Sequence, residues 1–294
     1  MNSFSISQLQ QYSGIKAHTI RIWEQRYQAL QPNRTEGNTR FYDGEQLRRL
    51  LNIVSLMNRG YKISELSSMA DTALFELLDT ELQEPLKEEG NEYFISQLIA
   101  AGMAFDESAF EKIFSTCLLR LGVKGAYEKV VYPLLNRIGL MWTSDRISTA
   151  REHFISNILR QKFFTALDAL PAPKAEAETW LLFLPEGEFH EIGLLLANYL
   201  IRQAGHKVVY LGSNLPLQQI STAAQTTGAT RLLFFWVHTI SAEDAREYMK
   251  ELKLNVGNHR IYFSGSSEVA HQLEPEDQEG YLYSIEALER ALIA

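Results

Sequence analysis

Residues 180–193, WLLFLPEGEFHEIG, decide how the C-terminal part of this chain folds. The apolar run Trp180 to Leu184 is short, is followed by Pro185 and Gly187, and gives way to a helical pattern that begins near Ile192. Such a run, without polar alternation, suits a strand buried on both faces. Working outward, comparable runs stand at Val208 to Leu211, Leu232 to Val237, Ile261 to Phe263 and Tyr281 to Tyr283. Helical patterns begin near Leu217, Ser241 and Glu268 between them, and a last one starts at Ile285. This βαβα order predicts a doubly wound parallel sheet over residues 174–294, with helices on both faces and ligands at the carboxyl ends of the strands.

Upstream, Leu170-Pro171-Ala172-Pro173-Lys174 reads as a linker, because two prolines cannot continue a helix. Before it the pattern is wholly helical. Apolar stripes run through Tyr93, Phe94 and Leu98, through Phe110, Ile113, Phe114 and Cys117, through Tyr127, Val130, Leu134 and Ile138, and through Phe154, Ile158 and Phe163. Four amphipathic helices with short connections predict a four-helix bundle within residues 76–173. The chain is thus expected to be a multi-domain α and α/β protein.

The first 75 residues form a third module. Ser5-x-x-Gln8 is a capping-box pattern ahead of Ile6 and Leu9, and Gly14 stops that helix. After the turn, Ile20, Trp23 and Tyr27 recur at helical spacing, while Lys16, His18, Thr19, Arg21 and Arg26 fall on or near the other surface. Two short helices around a Gly turn read as helix-turn-helix. The segment Asn33 to Tyr42 carries a Gly37-Asn38 turn and reads as a small β-hairpin, or wing. A further helix starts at the Asp43-x-x-Gln46 cap and carries Leu47, Leu50, Leu51, Val54 and Met57 on one stripe.

Charge separates these parts. The chain is −8 overall, yet residues 1–70 hold nine Lys/Arg against five Asp/Glu, a net of +4 that leaves −12 for the remainder. A basic head on an acidic body suits phosphate binding by the head alone. The single cysteine, Cys117, excludes a disulfide framework and a cysteine-based zinc site. Neither an export signal nor an apolar run of bilayer length is read, so cytoplasmic residence without a membrane anchor is expected.

The run Thr19-Ile20-Arg21-Ile22-Trp23-Glu24-Gln25-Arg26-Tyr27, with Pro32-x-Arg34 and Gly37-x-x-Arg40-Phe41-Tyr42, resembles the winged-helix domain of MerR-family regulators. The resemblance covers about the first 70 residues, and it implies a double-stranded DNA operator as partner. The second helix is then expected in the major groove, with Thr19 and Arg21 placed for bases and Arg26 for phosphate. Arg34, Asn38, Arg40 and Tyr42 of the wing are expected to grip the backbone. Many MerR regulators dimerise through a long coiled coil after this domain, but Pro85 and Gly90 interrupt the heptads here. A homo-oligomer, dimer or tetramer, is therefore expected to form through the C-terminal parts, with RNA polymerase as a further partner.

Glu188-x-His190-x-x-Gly193 follows the first strand of the α/β part, in a loop that borders the sheet's switch point. By itself this pattern also fits a histidine that caps a helix. It resembles the Asp/Glu-x-His-x-x-Gly motif of cobalamin-binding domains, whose sheet is flavodoxin-like. There the His is the lower axial ligand of cobalt, and a carboxylate such as Glu188 fixes its tautomer. Trp142, followed after nine residues by Glu152-His153, resembles the helical cap of light-sensing, adenosylcobalamin-dependent MerR repressors. The resemblance implies a cobalamin cofactor, adenosylcobalamin or methylcobalamin, with Trp142, Glu152 and His153 at its upper face and His190 as metal ligand.

Three departures accompany it. Thr143 stands where light-sensing members have a His, and Thr is a poor cobalt ligand, so a weaker light response is expected. Phe234-Phe235-Trp236-Val237-His238 occupies the place of a Ser-x-Leu element that lines the pocket for the cofactor's nucleotide tail. Gly265 alone, in Ser264-Gly265-Ser266, keeps the family's Gly-Gly. The reading that follows is a cobalamin-gated, non-enzymatic transcription factor. The alternatives are a regulator that uses the same fold without cofactor, and a corrinoid enzyme or methyl carrier.

Overall fold

A computed structural model describes residues 4–34, 38–57, 60–81, 90–142, 147–238 and 240–293. The chain folds as two compact units, Met1–Ile158 and Leu159–Ala294. Among the described residues no helix is long and apolar enough to cross a membrane.

The first unit opens with α1 (Ile6–Ser13) and α2 (Ala17–Tyr27). Ser5 and Gln8 close a reciprocal capping box at the start of α1, and Gly14 ends it at φ 73°. The left-handed conformation costs glycine little, so the chain can turn there into α2. Strands β1 (Asn33–Arg34) and β2 (Arg40–Phe41) pair antiparallel, and a bridge between Phe4 and Tyr42 ties the wing to the N-terminus. Asn38 lies at φ 61°, as the turn requires, while Gly37 lies outside the described residues. Helix α3 (Gly44–Met57) follows, with Gln46 N–H donating to the Asp43 cap at 2.9 Å, then α4 (Ile63–Leu66) and α5 (Asp71–Glu81). Leu47, Leu50, Leu51 and Val54 of α3 are buried, so the stripe read from the sequence is the core of this module.

Four helices come next: α6 (Gly90–Ala104), α7 (Glu107–Ala126), α8 (Tyr132–Trp142) and α9 (Thr149–Asp168). No loop separates α7 from α8. A π-helical turn, Tyr127–Val131, joins them, and Gly122 leaves helical geometry at φ 67°. Pro85 and Thr143 lie outside the described residues.

In the second unit, β3 (Thr179–Pro185), β4 (Lys207–Leu215), β5 (Arg231–Phe235) and β6 (Arg260–Ser264) form a parallel sheet in the order β4-β3-β5-β6. Helices α10 (Ile192–Gln203), α11 (Leu217–Thr227) and α12 (Ala242–Val256) are its crossovers. The chain leaves β3 toward β4, then returns to β5 on the other side. That reversal makes the carboxyl ends of β3 and β5 the switch point of the doubly wound fold. Leu181, Phe183, Leu232, Phe234 and Phe263 pack with Ile220, Ala245, Met249 and Leu252 in one core. Each of the larger of these side chains contributes about 2 kcal/mol by leaving water, and Ala245 less.

Two sequence expectations need correction in this sheet. The fourth crossover, read as a helix near Glu268, is two single turns, α13 (Ser267–Ala270) and α14 (Pro275–Gln278), because Pro275 can only start a helix. The fifth strand, read at Tyr281 to Tyr283, is reduced to a bridge between Phe263 and Tyr281 before α15 (Ile285–Ile293). Gly280 lies immediately before this bridge. A Cβ there would lie 2.2 Å from the Ile261 carbonyl oxygen, so the chain meets β6 at closer range than a regular side-chain-bearing strand allows.

Candidate functional site

In the head, Lys16, His18, Arg21, Arg26, Arg34 and Asn38 are exposed, and Thr19 and Arg40 are half-buried. Arg34 Nη1 donates to Asn38 Oδ1 at 2.6 Å across the wing. Tyr42 departs from expectation: it is fully buried, which leaves it no surface for phosphate. Its hydroxyl donates instead to Glu24 of α2, which also accepts Arg40 Nε at 3.2 Å. Burial and the Glu24 carboxylate hold the Tyr42 phenol well above its ordinary pKa, so it remains a donor. Glu24 thus locks the wing to the second helix. Sequence reading passed over it, although a carboxylate beside Trp23 on the apolar side of α2 is the signal that marks it.

In the helical part, Trp142 is the last residue of α8. Glu152 and His153 lie in the first turn of α9, 3.5 Å apart between Oε2 and Nε2, with His153 exposed.

In the second unit the loop from β3 to α10 is built around one carboxylate. Glu188 is only 4% exposed. Its Oε1 accepts the N–H groups of Phe189 and His190 at 2.9 and 3.0 Å, and its Oε2 accepts those of Val237 and His238 at 2.8 and 2.7 Å. Its Oε1 also lies 2.8 Å from His190 Nδ1 and 3.2 Å from His238 Nδ1. Burial alone would raise the Glu188 pKa, but the His190 ring and these N–H groups outweigh it and bring it to about 2. The group is an anion at neutral pH and so a strong acceptor for an imidazole N–H.

That bond fixes His190. With Nδ1 turned to the carboxylate, a cobalt centre approaching the outer side of the ring would be ligated through Nε2. The ring sits at the carboxyl edge of the sheet and is 52% exposed. Asn214, at the end of β4 with φ 58°, accepts Gly187 N–H through its side chain at 2.9 Å and donates its own N–H to the Glu188 carbonyl at 3.0 Å. Glu191 joins Arg160 at 2.7 Å and the Tyr210 hydroxyl at 2.8 Å, holding the start of α10. Gly193 lies in that first turn. Sequence reading missed Asn214, Glu191, Arg160 and Tyr210, and it gave His238 no role of its own. A polar residue ending the apolar run Leu232 to Val237 was the available signal for the last.

A cavity of about 480 Å³ opens beside this loop, lined by Pro185, Glu188, Trp236, His238, Tyr248 and Glu251 among others. Trp236 is 7% exposed and meets Phe234, Tyr248 and Phe263 edge to face. Gly265 is pressed against it: a Cβ there would lie 2.8 Å from the Trp236 carbonyl oxygen. The donor set at His190 and Glu188 therefore fits a cobalamin's cobalt, whereas the segment 234–238, in which the resemblance implies a small residue, packs bulky rings that include the indole of Trp236.

Comparison with known proteins bears on both parts. The family model described as MerR HTH family regulatory protein matches residues 4–72, and the one described as B12 binding domain matches residues 89–166. The HTH-type transcriptional repressor CarH of Myxococcus xanthus is 27% identical over 279 residues, covering 92% of this chain and 91% of that protein. The HTH-type transcriptional repressor CarA of the same organism is 28% identical over 214 residues, covering 72% of this chain and 68% of that protein. Among solved structures, the monomethylamine corrinoid protein of Methanosarcina barkeri aligns with a TM-score of 0.55 at 18% identity, covering 69% of this chain and 99% of that one. That last likeness is one of fold.

Proposed function

We propose that this chain is a MerR-type transcriptional regulator whose DNA binding is gated by cobalamin, because residues 4–72 match the MerR HTH model and residues 89–166 the B12 binding domain model. The observation that carries the reading is the 2.8 Å contact between His190 Nδ1 and Glu188 Oε1 at the switch point of the sheet. A buried anion there holds an imidazole in the tautomer that a cobalt ligand needs. The chain's own residues bind and orient: His190 as the protein's metal ligand, Glu188 as the acceptor that fixes it, and Gly193 and Gly265 where the backbone comes close. Trp142, Glu152 and His153 of the helical part are proposed as further cofactor-binding residues, on the resemblance of their motif alone. When bound, cobalamin supplies a cobalt–carbon bond that light or exchange can break.

For DNA, α2 would present Thr19 and Arg21 to bases and Lys16, His18 and Arg26 to the backbone, with Arg34, Asn38 and Arg40 in the wing. Tyr42 stands behind them as an anchor. The regulator would work as a homo-oligomer assembled through its sensor part, with cofactor state shifting the assembly that presents paired heads to an operator. RNA polymerase would be the downstream partner. A second reading, a regulator that works through the same fold without cofactor, is favoured by one observation, the bulky rings of Phe234 to Trp236, with Trp236 buried, where the resemblance implies a small residue.

The two readings separate in a gel-shift titration on DNA that the full-length protein selects from a random pool. With adenosylcobalamin or methylcobalamin in the dark, the wild type should change its affinity at least tenfold relative to the cofactor-free protein, and His190→Ala should not. Equal affinities for wild type with and without cofactor, in the dark and after illumination, would establish the cofactor-independent reading.

A further inference from the structure

We propose that Glu188, His190 and His238 also form a binding site for a free divalent transition-metal ion of the zinc class, taken up by the protein without a corrinoid. One ligand atom from each residue lies within 4.8 Å of the others. His190 Nδ1 and His238 Nδ1 converge on the same carboxylate oxygen, at 2.8 and 3.2 Å, and the two rings meet edge to face with centroids 4.5 Å apart. In a tetrahedral zinc site with bonds of about 2.0–2.1 Å, neighbouring donor atoms stand roughly 3.3 Å apart. The two Nδ1–Oε1 separations are already close to that spacing.

The hydrogen bonding points the same way. Glu188 Oε1 receives two backbone N–H groups as well as the two imidazole nitrogens, four contacts on an atom with two lone pairs. An ion seated among Nδ1 of His190, Nδ1 of His238 and Oε1 would replace two crowded ring contacts with three coordinate bonds. Two imidazoles and a carboxylate suit Zn²⁺, Ni²⁺, Co²⁺ or Cu²⁺ rather than Ca²⁺ or Mg²⁺, which prefer all-oxygen sets. The site is anchored from below by a carboxylate that is 4% exposed and accepts Val237 and His238 N–H groups, while the rings are 52% and 57% exposed. It is preorganised at its base and open outward, where water would complete the coordination.

The consequence for regulation rests on the cobalamin reading; the metal site itself does not. Ligation of cobalt by His190 requires Nδ1–H and a bare Nε2, whereas ligation of zinc through Nδ1 places the proton on Nε2 by exchange with water. One ring cannot satisfy both, so free metal and cobalamin exclude each other.

The test uses full-length, chelator-treated protein and metal salts alone. Zn²⁺ titration by calorimetry should give one equivalent per chain, and Co²⁺ should give the visible bands of four-coordinate cobalt that Zn²⁺ then bleaches. His190→Ala, His238→Ala and the milder His238→Gln should each weaken binding at least tenfold, with melting temperatures showing that they fold. Absence of stoichiometric binding by the wild type, or equal binding by the folded His238 variants, would overturn the site. If zinc binds and no cobalamin does, the metal site stands and the cobalamin reading fails. If both bind and one equivalent of zinc leaves cobalamin uptake unchanged, the exclusion is wrong.

Discussion

Glu188 organises the sensor loop, and its ionisation is measurable. Burial opposes its charge, but the His190 ring and the N–H groups of His238, His190 and Val237 hold its pKa at about 2, below the ordinary 4.5. A carboxyl depressed in the folded state stabilises it fully above the unfolded pKa and loses that contribution as pH falls through the folded value. The difference corresponds to about 3 kcal/mol. Urea denaturation between pH 4.5 and 2 should therefore show a loss in the wild type that is absent in Glu188→Gln; equal slopes would mean that this carboxylate is not the anchor. The motif Glu188-x-His190 was legible because its parts are two residues apart, and local spacing survives in sequence. His238 was not, since it reaches Glu188 only when β5 pairs with β3. Tyr42 was misread for a related reason: an aromatic hydroxyl beside Arg40 looks like a phosphate contact until a buried Glu24 claims it.

At the level of elements, the central strands β3 and β5 were readable because strands buried on both faces are continuous apolar runs, and Ser5, Asp43 and Ser241 mark helix starts by chemistry that is local. The π-helical Tyr127–Val131 and the reduction of the last strand were not, because both depend on distant packing. Gly280 is the sharpest case. Its N–H donates to the Asp277 carbonyl at 3.1 Å and its carbonyl accepts Phe263 N–H at 3.0 Å, so it cannot shift away from Ile261 without losing them. Gly280→Ala should destabilise the protein by about 1–3 kcal/mol through overpacking, read as a lower urea midpoint; an unchanged midpoint would show that β6 can yield. The wing and α2 divide their labour in a way that DNA titration resolves. Arg40→Ala should weaken binding to all sequences alike and flatten the salt dependence, whereas Arg21→Ala should narrow the gap between selected and random DNA. Uniform loss from Arg21→Ala would remove it from base reading.

For the whole molecule, a head of net +4 and a remainder of −12 mean that DNA is attracted by one end and repelled by the rest. A regulator of this build responds to a ligand only through differential binding between its states, so the sensor must take up cofactor before any switching can be discussed. The helical patterns and the parallel sheet were legible in sequence. Trp142 and Glu152-His153 were singled out by resemblance to a cobalamin cap and not by periodicity, while the packing of Trp236 emerged only with the fold. The most direct measurement is the visible absorption spectrum of purified wild type and His190→Ala after incubation with adenosyl-, methyl- and hydroxocobalamin and removal of unbound cofactor. The wild type should retain about one corrinoid per chain with the spectrum of cobalt ligated by a protein histidine, and His190→Ala should lose that signature and release the cofactor. Wild type that emerges colourless from all three incubations, or a His190→Ala spectrum identical to that of a loaded wild type, would contradict the account.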